Sequence, residues 1–257
     1  MAAPKKKKST TAVKSQKESS KPKAQVVQAT GNATGLRIGA VALWLVALGF
    51  EVLALLFFNG TIKLNFLTPM WLAIIALVLD LVCVIIGSIL WKKSNRIDPA
   101  SEKNKLKFWL WNNMGLIACT LAFVPFIILA LTDKKADKKS KTIVTVVAVI
   151  ALLIGGLVSY DWDPVSREDL EAAKAAIPGD VYWTKSGTVY HSNRTECYHI
   201  KNKTDDELNV GKVEDAFEEN LIRLCSYCAK IDNIQGVRTD TFDPFAETTP
   251  VETTLAE

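Results

Sequence analysis

Apolar residues along this chain gather into four long runs: Ile38–Phe58, Met70–Trp91, Phe108–Leu131 and Ile143–Tyr160. Each reaches about 18 residues or more with few charges, which is enough for a helix to cross the hydrocarbon core of a bilayer. The polar connections are short, so consecutive runs lie antiparallel. A spanning segment must also satisfy its own backbone hydrogen bonds, which selects the helix. The pattern predicts an α-helical bundle of four transmembrane helices within residues 36–160. Trp71, Trp91, Trp109, Trp111, Tyr160 and Trp162 fall at or near the ends of the runs, where amphipathic rings favour the headgroup level. The first run begins too late and extends too far for a signal-peptide core of about 7–15 residues.

Outside the runs the pattern is polar, but not uniformly so. Residues 1–35 carry lysines among Ser, Thr, Ala and Gln, with too little apolar surface to offset the entropy of ordering, and read as a disordered basic tail. In residues 161–180, Ser166 with Asp169 forms a helix start, and Pro178-Gly179 a stop. This stretch reads as a helical linker. Val181–Thr184 and Thr188–His191 then alternate aromatic and β-branched residues around Lys185-Ser186-Gly187, the signature of a β-hairpin. Lys212–Asn220 has the spacing of a short helix. Together these give a small α+β domain over residues 181–235, followed by an acidic, Thr- and Pro-containing tail over 236–257 that reads as disordered.

The lysines bear on orientation. Nine basic residues precede the first run (through Arg37), one (Lys63) lies in the first connection, six in the second and five in the third. The first three values fit a cytoplasmic N-terminus and second connection, whereas Lys134, Lys135, Lys138, Lys139 and Lys141 run against the positive-inside rule. The favoured reading is four full spans in the cell membrane with both termini cytoplasmic, the third run being continuous. The alternative is a re-entrant third run, marked by Asn112, Asn113 and Pro125, with the C-terminal domain outside. The basic tail suits anionic headgroups better than nucleic acid, because no aromatics are interleaved with the lysines. The lipid bilayer is therefore the expected partner.

Two acids lie inside the runs. Glu51 and Asp80 are each roughly 12–15 Å from the same interface at ~1.5 Å rise per residue. Ionisable groups at that depth are costly and mark proton relays or cation sites, or else interhelical contacts. They support an alternative reading as a small ion- or proton-coupled transporter.

The chemistry-bearing residues are His191, Cys197, Cys225 and Cys228. Thiolates with imidazole suit Zn²⁺ in a closed tetrahedral site, and a domain of this size commonly needs such a staple. His199 competes with His191 as the fourth ligand. A disulfide would leave one of these three cysteines unpaired. A Cys225/Cys228 redox pair, which would make the chain a membrane thiol-redox protein, needs a lowered thiolate pKa. The stretch Val181–Lys230, with Val-Tyr-Trp-Thr-Lys-Ser-Gly-Thr-Val-Tyr-His, Cys197, Val213–Phe217 and Cys225-Ser226-Tyr227-Cys228, resembles the small Ada-type zinc-binding domains appended to bacterial membrane and nuclease proteins. The resemblance implies a hairpin and short helix joined by one structural zinc on Cys197, Cys225, Cys228 and His191. A closed site of this kind leaves no position for a catalytic water, and the chain has no Ser/His/Asp set or phosphate-cradling loop. The expectation is a binding or scaffold protein, with a protein partner engaged through the C-terminal domain, more than an enzyme.

Overall fold

The computed structural model describes residues 25–26, 31–65, 67–134 and 136–240. Four helices in it are long and apolar enough to cross a membrane. Helix α1 (Ala33–Phe58) starts where the Asn32 side chain accepts the Gly35 amide. Helix α2 (Pro69–Ile97) starts at a proline whose missing N–H costs nothing in a first turn. The third run is interrupted, giving α3 (Lys105–Asn112) and α4 (Met114–Thr132). Helix α5 (Lys138–Ser159) is capped by the Asp137 carboxylate on the Ser140 amide.

The bundle is small-sided inside and apolar outside. Ala47, Ala54, Ala73 and Ala76 are buried together with Phe123 and Phe126, and Ala40 with Trp44 and Trp91. Ile38, Leu45, Val52, Leu153 and Leu157 are 65%, 64%, 55%, 60% and 61% exposed. A water-facing bundle would turn such side chains inward, and hydrocarbon is the solvent that accepts them. Close backbone approach replaces the hydrophobic drive between helices. At Gly87 an added Cβ would lie 2.6 Å from Trp44 Nε1 and 3.2 Å from the Ala40 carbonyl oxygen.

Three observations depart from the sequence reading. First, the third run is not continuous: the helix breaks at Asn113 (φ −104°, ψ 23°). The Asn112 and Asn113 amides donate back to the carbonyls of Phe108 and Trp109, and their oxygens accept from Asn95 and from the Asp161 amide. The two asparagines are thus a polar joint between elements. Met114–Thr132 is still long and apolar enough to cross.

Second, residues 161–180 are not a bare spacer. Helix α6 (Arg167–Ala176) has the expected Ser166/Asp169 capping box, but Val165, Ala173 and Ile177 are buried in the core of the C-terminal domain. Third, strand β2 (Val181–Thr184) takes as its regular partner not Thr188–His191 but β3 (Leu208–Gly211), antiparallel, with Trp183 opposite Asn209. The expected hairpin contracts to a single bridge, Tyr182 with His191, closed by two 2.8 Å backbone hydrogen bonds. Strand β1 (Gln25–Val26) joins the other edge of β3 in parallel. Helices α7 (Val213–Glu218) and α8 (Ser226–Ile231) complete the domain.

The last residues of the expected disordered tail are ordered: Asn32 caps α1 and residues 33–35 form its first turn. Apart from these, Gly31 and Gln25–Val26, that tail lies outside the described residues, as do residues 241–257. Residues 236–240, assigned to the C-terminal tail, are tied in. Leu224 N donates to the Arg238 carbonyl and Asp240 N to the Leu224 carbonyl.

The domain sits on one end of the bundle. Gly31 N donates to Glu218 (3.2 Å), Arg96 Nε to Asn220 Oδ1 (2.7 Å), and Arg96 Nη2 to Asp161 Oδ1 (3.1 Å). The start of α1, the end of α2 and the C-terminal domain therefore share an end, and the end of α1, the start of α2, the end of α4 and the start of α5 lie at the other.

Candidate metal centre

Two local structures bring the ligand candidates together. His191 is fixed by its bridge to Tyr182. The preceding residue, Tyr190, is fully buried and pairs in parallel with Leu224, donating to the Arg223 carbonyl and accepting from Cys225 N (3.0 and 2.9 Å). That pairing places Cys225 beside His191. Cys225 caps α8 and its carbonyl accepts from Ala229 N (3.0 Å), so Cys228 lies one turn on, facing the same point. Cys197 comes from the polar loop, whose turn closes with Ile200 N and Lys201 N donating to the Cys197 carbonyl.

The result is a cluster in which one ligand atom from each of His191, Cys197, Cys225 and Cys228 lies within 4.8 Å of all the others. Cys197 Sγ is 3.3 Å from His191 Nδ1 and 4.0 Å from Cys225 Sγ, and Cys228 Sγ is 3.7 Å from His191 Nδ1. Metal–ligand bonds of about 2.3 Å to sulfur and about 2.0–2.1 Å to nitrogen, arranged tetrahedrally, put S···S edges near ~3.8 Å and S···N edges near ~3.6 Å. The two S···N separations bracket the S···N edge, and the 4.0 Å S···S separation lies slightly above its edge. His191 is 5% exposed, Cys225 1%, and Cys197 and Cys228 0%. His199, the competing ligand, is not in the cluster: it is exposed, with its ring 6.3 Å from that of His191 and edge-on to Tyr198 and Tyr227.

All five cysteines of the chain are free, and a 4.0 Å Sγ separation is about twice a disulfide bond. The thiols titrate as a unit. Hydrogen bonds from the Cys225 and Cys228 thiols hold Cys197 down to about 3. The same contacts, with Cys197 first and then Cys225, push Cys228 up. Cys225 is also held below its ordinary value, the opposing Cys197 contact and burial being outweighed by the Cys228 thiol and His191. The cluster thus favours thiolate at two of its three cysteines, and a divalent cation would favour it at all three. Redox thiols sit in partly exposed surroundings, whereas these are sealed.

The membrane acids stand apart from this centre. Glu51 is 6% and Asp80 0% exposed, and Asp80 lies within range of the Glu51 charge. Neither Asp80 carboxylate oxygen has a hydrogen-bond partner among the described residues. Spacing alone did not single out Arg96. It reads as one more loop cation, yet it is 7% exposed and joins the bundle to the domain.

Compared with known protein families, with curated proteins and with solved structures, the chain matches none.

Proposed function

We propose that this is a multi-pass membrane protein whose C-terminal domain is held together by one structural Zn²⁺ on His191, Cys197, Cys225 and Cys228, and that the domain serves binding or scaffolding, not catalysis. The carrying observation is the buried convergence of three free thiols and one imidazole nitrogen within 4.8 Å. Thiolate-rich donor sets favour Zn²⁺ over harder cations. Four protein ligands close the coordination sphere, which argues for a structural ion. The resemblance of Val181–Lys230 to Ada-type domains points the same way. A cytoplasmic domain in the cell membrane is supported by the basic residues. In the sequence, eight basic residues precede α1, Arg37 follows in its first turns and six flank the second connection, against one in the first connection and five in the third. A protein partner is the occupant expected for the domain's surface.

Metal analysis of the full-length protein, purified in detergent under reducing conditions, tests the site. About one zinc per chain is expected, falling to background in Cys225→Ser. A folded, metal-free wild type rejects the proposal.

A second reading is favoured by one observation, the unpartnered and fully buried Asp80 carboxylate. Such a group inside a bundle suits a proton- or cation-coupled step with Glu51 nearby. If Asp80→Asn and Glu51→Gln leave the wild type's proton and cation flux in proteoliposomes unchanged, this reading has no support.

A further inference from the structure

Where α1 begins, four basic side chains surround a cleft of about 360 Å³. Arg37 comes from α1, Lys103 from the connection after α2, Lys107 from α3 and Arg167 from the start of α6, and Trp111 forms one wall. The single carboxylate lining it is Asp98, which already takes Arg37 Nη1 at 2.9 Å and Arg167 Nη2 at 3.4 Å. Lys103 and Lys107 form no ion pair among the described residues. Glu168, outside the lining but within reach of the Lys103 charge, is a second acid, its oxygens accepting from Ser101 Oγ (2.5 Å) and Glu102 N (3.0 Å), so four cations face two carboxylates. Arg37 also stands over the Trp111 ring, 5.3 Å from its centroid, a contact that holds the guanidinium without consuming its charge. The cleft therefore has more positive charge than its own acids neutralise.

Its place in the fold says which anion it meets. On the same helices, adjoining Arg37 and Lys107 in sequence, stand exposed apolar side chains: Ile38 at 65%, Leu106 at 69% and Trp109 at 44%. A cationic cleft bordered by exposed aliphatic and indole groups, at the end of spanning helices, lies at headgroup depth. Basic pockets at that depth take the phosphate of acidic lipids, with the acyl chains lying along the apolar border. We propose that this cleft is a binding site for the phosphate of an anionic phospholipid, gripped by Arg37, Lys103, Lys107 and Arg167. The lipid joins the start of α1, α3 and α6, elements that few other contacts hold together. The proposal rests on the membrane reading of the four spans but not on the metal centre.

Native mass spectrometry of the full-length protein, delipidated in detergent, tests it by titration with phosphatidylglycerol, phosphatidylcholine and inorganic phosphate. Phosphatidylglycerol is expected to bind at least about tenfold more tightly than phosphatidylcholine, since each basic group near an anionic surface contributes about fivefold. Lys103→Gln with Lys107→Gln, two exposed side chains whose loss leaves the fold intact, should abolish that preference. Lys138→Gln with Lys139→Gln, at the far end of the bundle, should not. Equal loss from both pairs, or a preference unchanged in the first, overturns the site. Saturation by inorganic phosphate without any lipid preference overturns the lipid as its ligand. Extraction of the protein from membranes by alkaline carbonate alone would fault the membrane reading instead.

Discussion

The contact between Arg96 and Asp161 makes the sharpest quantitative prediction. Their side chains are 9% and 3% exposed and meet at 3.1 Å, joining the end of α2 to the chain just after α5. Removing the Asp161 carboxylate leaves the guanidinium buried with only the neutral Asn220 amide oxygen at 2.7 Å. Leaving one partner of a buried pair uncompensated costs about 3–5 kcal/mol, whereas replacing both by apolar groups is close to neutral. The pair is not ideally satisfied, since Arg96 Nη1 and Asp161 Oδ2 lack partners, so the lower figure applies. Asp161→Leu alone should therefore promote undocking of the domain by about two orders of magnitude at roughly 3 kcal/mol. The double variant Arg96→Met, Asp161→Leu should recover most of that. Amide hydrogen exchange of residues 159–163 and 218–222 in the detergent-solubilised protein reads the opening directly. If the single and double variants exchange alike, within about 0.5 kcal/mol, the pair is not the buried link described here.

Further outcomes follow from other contacts. Gly155→Ala should destabilise the bundle, because the new methyl would lie 2.8 Å from Cys119 Sγ and 3.1 Å from Leu81 Cδ1, while Gly156→Ala meets only Leu116 Cδ1 at 3.5 Å; a penalty of about 1–3 kcal/mol for the first and less than about 1 for the second is expected in thermal unfolding. Ser166→Ala removes the hydroxyl that accepts Asp169 N at 3.0 Å and should cost about 1 kcal/mol in the same assay. The Thr204 amide, with Lys203 and the Thr204 hydroxyl, holds the Glu207 carboxyl down to about 2 from 4.5. Because the folded value lies below the unfolded one, that stabilisation is full above pH 4.5 and fades as pH falls toward 2. Exchange at Asp205–Glu207 should rise across that window in the wild type and be insensitive to it in Glu207→Gln.

The four apolar spans and the clustering of His191 with Cys197, Cys225 and Cys228 are legible in the sequence for different reasons. Span length is set by bilayer thickness, so Ile38–Phe58 or Ile143–Tyr160 can be recognised without knowing any contact. Thiolates and imidazole have few other uses in a small domain, so Cys225-x-x-Cys228 with Cys197 upstream pointed to one site. The choice between His191 and His199 is a matter of which strand residue sits beside Cys225, and that depends on Tyr190 pairing with Leu224, a contact 34 residues apart in the chain. Strand pairing is hidden in the sequence for the same reason: Val181–Thr184 has a nearby candidate in Thr188–His191, yet Leu208–Gly211 offers four matched residues against one bridge. The break at Asn113 was hidden because apolar content continues on both sides. Its cause is tertiary, the Asp161 amide and the Asn95 side chain. Arg96 looked like any loop cation because burial is not written in a charge count.

X-ray absorption at the zinc edge, on the purified full-length protein, reads the proposed metal site itself. One metal per chain is expected, with three sulfurs at about 2.3 Å and one nitrogen at about 2.0–2.1 Å, and one sulfur fewer or no bound metal in Cys197→Ser. A first shell made of oxygen and nitrogen alone, or a wild-type protein that keeps its fold with no metal bound, contradicts it.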